Sequence, residues 1–197
     1  MSGAEAQTAQ FLPGPTVGVF TEDGRRVQPG SGETGLVAVS GFIPVGYYKD
    51  PEKSAKTFRT FEGQRWSVPG DFAEVNEDGT IRLLGRGSQV VNTGGEKVFP
   101  EEVEEALKTH PAVRDAVVVG VPDARFGERV CAVVDAREPL TLSELSAHVK
   151  ERLAAYKAPR ELVLAPVVRA ANGKVDYKAI RARALEALAE PIATRST

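Results

Sequence analysis

The segment Pro100-Glu-Glu-Val-Glu-Glu-Ala-Leu107 marks the point at which the character of the sequence changes. It opens with proline and carries acidic residues in its first turn, and both features are typical of a helix N-terminus. Val103 and Leu107 lie four residues apart and share one face. Pro111 ends the pattern, so the sequence predicts a short amphipathic helix here.

Strands and helices alternate after this helix. Two apolar runs have the length of strands, Ala116-Val-Val-Val-Gly-Val121 and Val130-Cys-Ala-Val-Val134. Thr141-Leu-Ser-Glu144 is a capping box that predicts a second helix. A strand is expected near Leu162-Val-Leu164, and Asp176 can cap a last helix. Each of these two helices carries apolar residues at a spacing of four, namely Leu145, Val149 and Leu153 in the former and Ile180, Ala184 and Leu188 in the latter.

The part before Pro100 is mostly β. Asp23-Gly24 and Asp78-Gly79 separate short apolar stretches, which is a hairpin signal, and Leu36-Val-Ala-Val39 is a further predicted strand. A Gly-Arg-Gly-Ser stretch around Arg86–Ser88 is suited to a hinge. We therefore predict an α+β protein with a β-rich lobe over residues 1–86 and a small α/β domain over residues 87–197.

Composition excludes several classes of protein. The chain has 197 residues and a formal net charge of −2, which gives no electrostatic reason to expect nucleic acid or an anionic membrane as a partner. The single cysteine, Cys131, excludes an internal disulfide, and two histidines make a His-clustered metal site improbable. No apolar run approaches the ~20 residues of a membrane span, so we expect no membrane span and a cytoplasmic location.

One glycine pattern is misleading. Gly30-Ser-Gly-Glu-Thr-Gly35 matches the dinucleotide-binding fingerprint, which requires a strand before it and a helix after it. Here Pro29 precedes the pattern and the β-rich Leu36–Val39 segment follows it, so a plain turn is the better interpretation.

Two segments near the predicted boundary carry groups suited to a nucleotide. In Val68-Pro-Gly-Asp71, the carboxylate follows a glycine and is placed to accept two hydrogen bonds from a vicinal diol such as a ribose. The competing interpretation is a turn aspartate that bonds its own backbone. In Leu84-Gly-Arg-Gly87, Arg86 could donate to the same ribose or to a phosphate, or could be an exposed arginine in a linker.

Two further segments lie in the predicted second domain, residues 87–197. The pair Gly94-Gly95 would let a ligand run close to the backbone, although a flexible loop explains it equally well. Ala171-Asn-Gly-Lys174 presents one lysine at a turn tip, where it could deliver positive charge to phosphate oxygens or simply be solvated.

Together and in order, these segments resemble one family, the adenylate-forming acyl-CoA synthetases, with the related luciferases and peptide-synthetase adenylation domains. The resemblance covers nearly the whole chain after about Leu12, and its motifs, modest singly, are specific as an ordered set. They are Gly46-Tyr-Tyr-Lys-Asp-Pro-Glu-Lys-Ser, Gly70-Asp71, Gly85-Arg86, Gly94-Gly-Glu-Lys-Val-Phe-Pro-Glu-Glu-Val-Glu104, Val121-Pro-Asp-Ala-Arg-Phe-Gly-Glu128, Tyr156-Lys-Ala-Pro-Arg160 and Gly173-Lys174. The residues of these motifs are most similar to those of actinobacterial synthetases for fatty or steroid side-chain acids.

The resemblance implies a role for each candidate residue. Asp71 would accept hydrogen bonds from the ribose, Arg86 would contact the ribose or a phosphate, and Lys174 would be the catalytic lysine of adenylation. Gly94 and Gly95 would line the pantetheine path of CoA. Position 69 is proline where the family usually has threonine, and Ser88 stands where the family's hinge is usually aspartate or lysine.

Several parts of the family pattern are missing. Neither the Ser/Thr/Gly-rich phosphate loop nor the Tyr-Gly-x-Thr-Glu segment, which supplies a magnesium-binding glutamate, occurs in these residues. We therefore expect the end of the large AMP-binding domain plus the C-terminal lid, in a truncated protein or gene fragment that is inactive alone. The intact enzyme would use ATP, CoA and Mg²⁺. Two alternatives are a half-enzyme that works in trans with a separate ATP-binding domain, and a non-catalytic interaction module with the lid fold.

Overall fold

The computed structural model describes residues 9–189, which form two compact units, residues 9–88 and residues 89–189. The division falls at 88/89, close to the boundary predicted at 86/87. That the two units are the end of a large AMP-binding domain and its lid stays a prediction at this point. Residues 1–8 and 190–197 of the predicted domains lie outside the described range.

The first unit is built on an antiparallel sheet. In order across the sheet the strands run β1-β7-β6-β3-β5-β4, and β2 pairs with β3. The elements are β1 (Gln10–Phe11), β2 (Val17–Phe20), β3 (Thr34–Val39), α1 (Pro51–Thr57), β4 (Phe58–Phe61), β5 (Gln64–Ser67), β6 (Asp71–Val75) and β7 (Ile81–Arg86).

Alternation along β2 and β3 builds two small cores. Val19 and Val37 pack with one cluster of buried residues, while Phe20 and Ala38 belong to a second that includes Trp66. The rings of Phe20 and Trp66 meet edge to face with their centroids 4.9 Å apart. Both faces of these strands are therefore buried, because successive side chains of a strand point to opposite sides.

The turn predictions are confirmed with one difference. Asp78-Gly79 joins β6 and β7 as an antiparallel hairpin. Asp23-Gly24 also forms a turn, but the residues after it make an isolated bridge to Phe20 and a backbone bond from Val27 to Val19 instead of a full strand. The main partner of β2 is β3. The segment Gly30–Gly35 leads into β3 and not into a helix, so the rejected dinucleotide pattern is indeed a turn.

The second unit combines a five-stranded sheet with three helices. The strand order is β10-β11-β8-β9, and β12 pairs in parallel with β11. The elements are β8 (Val91–Thr93), β9 (Glu96–Val98), α2 (Pro100–Lys108), β10 (Val113–Asp123), β11 (Gly127–Ala136), α3 (Leu142–Lys150), β12 (Glu161–Leu164) and α4 (Tyr177–Ala189). With the first unit, they make the α+β class that the sequence predicts.

Helices cover both faces of the long β10–β11 hairpin. Val118 and Ala132 face α2 and α3, whereas Val117, Val119 and Val133 face α4. Burial on both faces explains why these strands are continuous apolar runs and do not alternate with polar residues.

The predicted caps are formed. Thr141 and Glu144 make both hydrogen bonds of the capping box at the start of α3. The Asp176 carboxylate accepts from the amide of Ala179, 3.0 Å away, in the first turn of α4. Leu153, predicted to lie on α3, follows the end of that helix and still packs partly buried against the same core.

Candidate functional site

Asp71 and Arg86 stand directly opposite each other on neighbouring strands of the first unit. Asp71 begins β6, Arg86 ends β7, and the ladder register pairs them. The Nε atom of Arg86 donates to Oδ1 of Asp71 at 3.2 Å, with the two side chains 69 % and 33 % exposed. An ion pair this exposed contributes little to stability, so both groups can be recruited by a ligand at small cost. The structure thus brings together two residues that the sequence nominated from separate motifs.

Gly87 is required for space beside this pair. A Cβ atom at position 87 would lie 2.7 Å from Cε2 of Phe72, and the amide of Gly87 donates to the carbonyl of Gly70 at 3.0 Å. Its φ is not positive, so the glycine serves close packing, whereas the sequence suggested a role in backbone freedom. The predicted hinge residue, Ser88, lies in the 3₁₀ turn Gly87–Gln89 that follows.

Gly94 and Gly95 form the two-residue turn of the β8–β9 hairpin. Both have positive φ, 62° and 91°, as a turn of this length favours. The amide of Gly94 donates to the carbonyl of Phe126 at 2.9 Å, and a Cβ there would lie 3.1 Å from the Phe126 ring. No atom lies within 4 Å of a Cβ built at Gly95. Gly94-Gly95 is therefore a hairpin turn with one packed and one open side.

Cationic side chains surround the aromatic ring behind this turn. The guanidinium groups of Arg160 and Arg125 lie 4.4 and 5.0 Å from the Phe126 ring centroid. The carboxylate of Asp123 accepts from the amides of Phe126 and Arg125, each at 2.9 Å, and these bonds hold the pKa of Asp123 below its usual range. The surroundings of Gly94 are therefore closely packed and include two guanidinium groups. Spacing alone did not reveal this grouping, since it joins three separate motifs.

Lys174 is exposed at the tip of a tight turn, as predicted. The amide of Ala170 donates to the carbonyl of Lys174 at 2.9 Å, and the amide of Lys174 donates to Oδ1 of Asn172 at 3.1 Å. A shallow pocket of about 460 Å³ adjoins the lysine. The pocket is lined by Gln89, Ala170, Asn172, Lys174, Val175, Asp176, Tyr177 and Lys178.

A buried carboxylate that sequence reasoning missed anchors the segment after this turn. Glu104 of α2 is 5 % exposed and accepts from the amide of Val118 at 2.9 Å and from the Tyr177 hydroxyl at 3.1 Å. Burial raises the pKa of Glu104 to about 7, and burial likewise raises that of Tyr177. The local sequence did not single it out, because Glu104 is one of four glutamates in α2 and Glu102 on the same helix is equally buried.

Within residues 9–189, no three His, Cys, Asp or Glu side chains gather in a way that could hold a metal ion. In the same range, no helix has the length and apolar character needed to cross a bilayer.

The sequence of the chain is similar to a known family model and to known ligases. Residues 102–174 match the family model described as AMP-binding enzyme C-terminal domain. The chain is 55 % identical over 163 residues to the medium/long-chain-fatty-acid–CoA/3-oxocholest-4-en-26-oate–CoA ligase of Mycolicibacterium smegmatis, a match that covers 81 % of this chain and 30 % of the relative. The chain thus spans about a third of the length of the curated relatives it matches.

Solved structures give the same result. An ATP-bound RpMatB–BxBclM chimera has a TM-score of 0.74 at 28 % identity, over 89 % of this chain and 35 % of its own. The o-succinylbenzoate CoA synthetase MenE of Bacillus subtilis, in complex with the acyl-adenylate OSB-AMP, has a TM-score of 0.72 at 31 % identity, over 86 % of this chain and 34 % of its own. The chain therefore carries the AMP-binding enzyme C-terminal domain and belongs, as a C-terminal portion, to the adenylate-forming acyl-CoA ligase family.

Proposed function

We propose that this chain supplies the C-terminal part of an ATP-dependent acyl-CoA ligase for fatty or steroid side-chain acids. The reaction joins a carboxylic acid, ATP and CoA to give acyl-CoA, AMP and pyrophosphate. The observation that carries the proposal is the 55 % identity, over 81 % of the chain, to a ligase named for both kinds of acid.

In the first unit, Asp71 and Arg86 are the nucleotide contacts. The Asp71 carboxylate would accept hydrogen bonds from the ribose diol, and the Arg86 guanidinium would donate to the ribose or to a phosphate. Their direct pairing supports this role, because a diol that bonds Asp71 finds a positive donor 3.2 Å from the same carboxylate. Charge-assisted contacts of this kind are worth roughly 1.5–3 kcal/mol each.

In the second unit, Lys174 is the catalytic residue of the first half-reaction. A carboxylate oxygen of the acid attacks the α-phosphorus of ATP, and pyrophosphate leaves with the electrons of the broken P–O bond. Negative charge accumulates on the α-phosphate oxygens, and the Lys174 ammonium group can donate three hydrogen bonds there. Its exposure at a tight turn supports this role, since an ammonium group on such a tip can enter a neighbouring site.

The second half-reaction uses a different face of the lid. The CoA thiolate attacks the acyl carbonyl and AMP leaves, with Gly94 and Gly95 lining the pantetheine path. The open side of Gly95 supports this assignment, since a ligand can approach its backbone without meeting a side chain. Ser88 would be the hinge about which the lid exchanges the two faces. Mg²⁺ would enter with ATP and be held by groups of the ATP-binding domain.

The proposal is tested by restoring an ATP-binding domain. The 197-residue chain alone is expected to give no sustained pyrophosphate release with ATP, Mg²⁺ and a panel of fatty and steroid acids. A chimera in which this chain replaces the matching portion of the Mycolicibacterium smegmatis ligase should release pyrophosphate and form acyl-CoA. An inactive but folded chimera would count against the proposal, as would turnover by the chain alone.

A half-enzyme that works in trans is the second candidate. The loop between β3 and α1 exposes large apolar side chains, with Phe42, Val45 and Tyr48 at 112 %, 95 % and 87 %. Exposed apolar groups that lie close together mark protein contact surfaces. If the chain acts in trans, adding it to a separately expressed ATP-binding domain should restore acyl-CoA formation, and Phe42→Ser with Val45→Ser should abolish that recovery.

A further inference from the structure

We propose that Arg169 and Asp115 form a clamp that positions Lys174 for adenylation. The proposal rests on the proposed function, because it concerns how the same lysine is held. Arg169 is a positioning residue here, since it touches the lysine turn and no reacting atom.

Arg169 joins the turn to the central sheet. Its Nε atom donates to Oδ2 of Asp115 at 2.6 Å and its Nη2 atom to Oδ1 at 2.8 Å, a bidentate pair between residues 54 positions apart. A third donor, Nη1, reaches the carbonyl of Gly173 at 3.3 Å, immediately before Lys174. One guanidinium group thus connects strand β10 with the backbone of the turn.

The aspartate is itself fixed. Its Oδ1 atom also accepts from the amide of Ala116 at 2.9 Å, and the side chain is 22 % exposed. Hydrogen bonding from Arg169 holds the pKa of Asp115 below its usual range and raises that of Arg169. Both groups therefore remain charged near neutral pH, and a bidentate arginine–carboxylate pair fixes direction as well as distance.

The residues on either side of the turn, Val167 and Val175, pack partly buried against the core. Within residues 170–174 the hydrogen bonds are local, from Ala170 to Lys174, from Gly173 to Ala170 and from Lys174 to Asn172. These bonds close the turn but do not orient it against the sheet. The Arg169 contact to Gly173 ties the turn directly to β10, so loss of the clamp leaves a closed turn whose backbone beside Lys174 has lost that tie.

The expected effect follows from the precision that catalysis requires. A misplacement of about 1 Å in a catalytic group can cost about 10²-fold in rate. Arg169→Gln should therefore slow adenylation by roughly 10- to 100-fold in the chimera described above, with the KM for ATP little changed. The adenylation rate of Arg169→Lys should lie between those of the parent and Arg169→Gln, because lysine keeps the charge but loses the planar fork. Thioester formation from supplied acyl-adenylate should keep its rate.

A matched control is present on the same strand. Arg114 pairs with Asp135 at 3.3 Å and is 60 % exposed, so Arg114→Gln removes a similar arginine–aspartate pair away from the turn. It should leave both half-reactions at the parent rate. In a double-mutant cycle, Arg169→Gln combined with Asp115→Asn should be no slower than Arg169→Gln alone, since the two residues act as a unit.

The outcomes separate the clamp from the function itself. If Lys174→Ala slows adenylation and Arg169→Gln does not, the clamp is wrong and the function stands. If Lys174→Ala has no effect, the role of Lys174 is wrong. An equal loss in both half-reactions, or a loss from Arg114→Gln as large as that from Arg169→Gln, would show general destabilisation and overturn the positioning role.

Discussion

Glu104→Gln should remove a pH-dependent loss of stability from the second unit. The Glu104 carboxyl is buried among the Val118 amide, the Tyr177 hydroxyl and the nearby charges of Glu101 and Lys108, and burial raises its pKa to about 7. In the unfolded chain the pKa of Glu104 returns to its ordinary value of 4.5. Between these two values the folded protein holds a proton that the unfolded chain releases.

The sign and size follow from that difference. Because the folded state binds more protons in this window, the free energy of unfolding falls as pH rises from about 4.5 to about 7. The rise in pKa corresponds to about 3 kcal/mol. Below pH 4.5 this stabilisation is fully present, and above pH 7 it is lost. Glutamine carries no titrating proton but keeps an acceptor for Val118, so the variant should lack this fall.

The assay is urea unfolding of the 197-residue chain between pH 5 and pH 8, followed by far-UV circular dichroism. Trp66, the one tryptophan, is 2 % exposed in the core of the first unit, so its fluorescence reports that unit separately. Across this range, the stability of the variant should rise relative to the parent by 2–3 kcal/mol, within the ~3 kcal/mol above. The unfolding of the first unit, followed by Trp66 fluorescence, should show no such difference between variant and parent. Glu138→Gln, at an exposed loop position, is the matched control.

If the free energies of unfolding of Glu104→Gln and the parent differ by the same amount at all pH values, the reasoning is refuted. It would mean that Glu104 does not change its protonation state between the folded and unfolded chain in this window. A difference that shrinks as pH rises would refute it more strongly, because the sign would be reversed.

Two other substitutions test the start of α3 and the hinge. Thr141→Ala removes the side chain that accepts from the Glu144 amide at 3.3 Å, so it should cost about 1 kcal/mol in urea unfolding; Thr141→Ser should cost less, and equal stability of all three proteins would contradict the cap. Ser88→Pro fixes the φ angle at the proposed hinge. In the chimera it should slow CoA transfer, and it should spare adenylation if the fixed angle is compatible with the adenylation state. Ser88→Ala should change either rate little. Parent rates for both half-reactions in Ser88→Pro would place the hinge elsewhere.

Local signals predicted the elements that local chemistry determines. The capping box at Thr141–Glu144 and the cap at Asp176 are satisfied within four residues, so short-range pattern was enough. The valine runs of β10 and β11 were equally clear, because burial on both faces leaves no alternation. The hairpin of β4 and β5 was missed. Its two-residue turn is Glu62-Gly63, with φ values of 50° and 75°, and it lacks the Asp-Gly pair that marked the two predicted hairpins.

The candidate site residues came from the sequence and stay predictions, whereas their arrangement came from the structure. Asp71 and Arg86 were nominated separately, and only the register of β6 with β7 makes them a pair. Arg169 and Asp115 were not nominated, since a contact between residues 54 positions apart leaves no mark on either local sequence. Glu104 was quoted within a motif, and its burial against α4 emerged from the packing of helices on the sheet.

The most direct test of the central claim compares Lys174→Ala with Lys178→Ala in the chimera. Lys178 borders the same pocket and is also exposed, so it controls for loss of a positive charge. Lys174→Ala should slow pyrophosphate release by about 10²-fold or more while acyl-CoA formation from supplied acyl-adenylate continues at the parent rate, and Lys178→Ala should change neither. Equal loss of both half-reactions in Lys174→Ala, or no loss in either, would contradict the account.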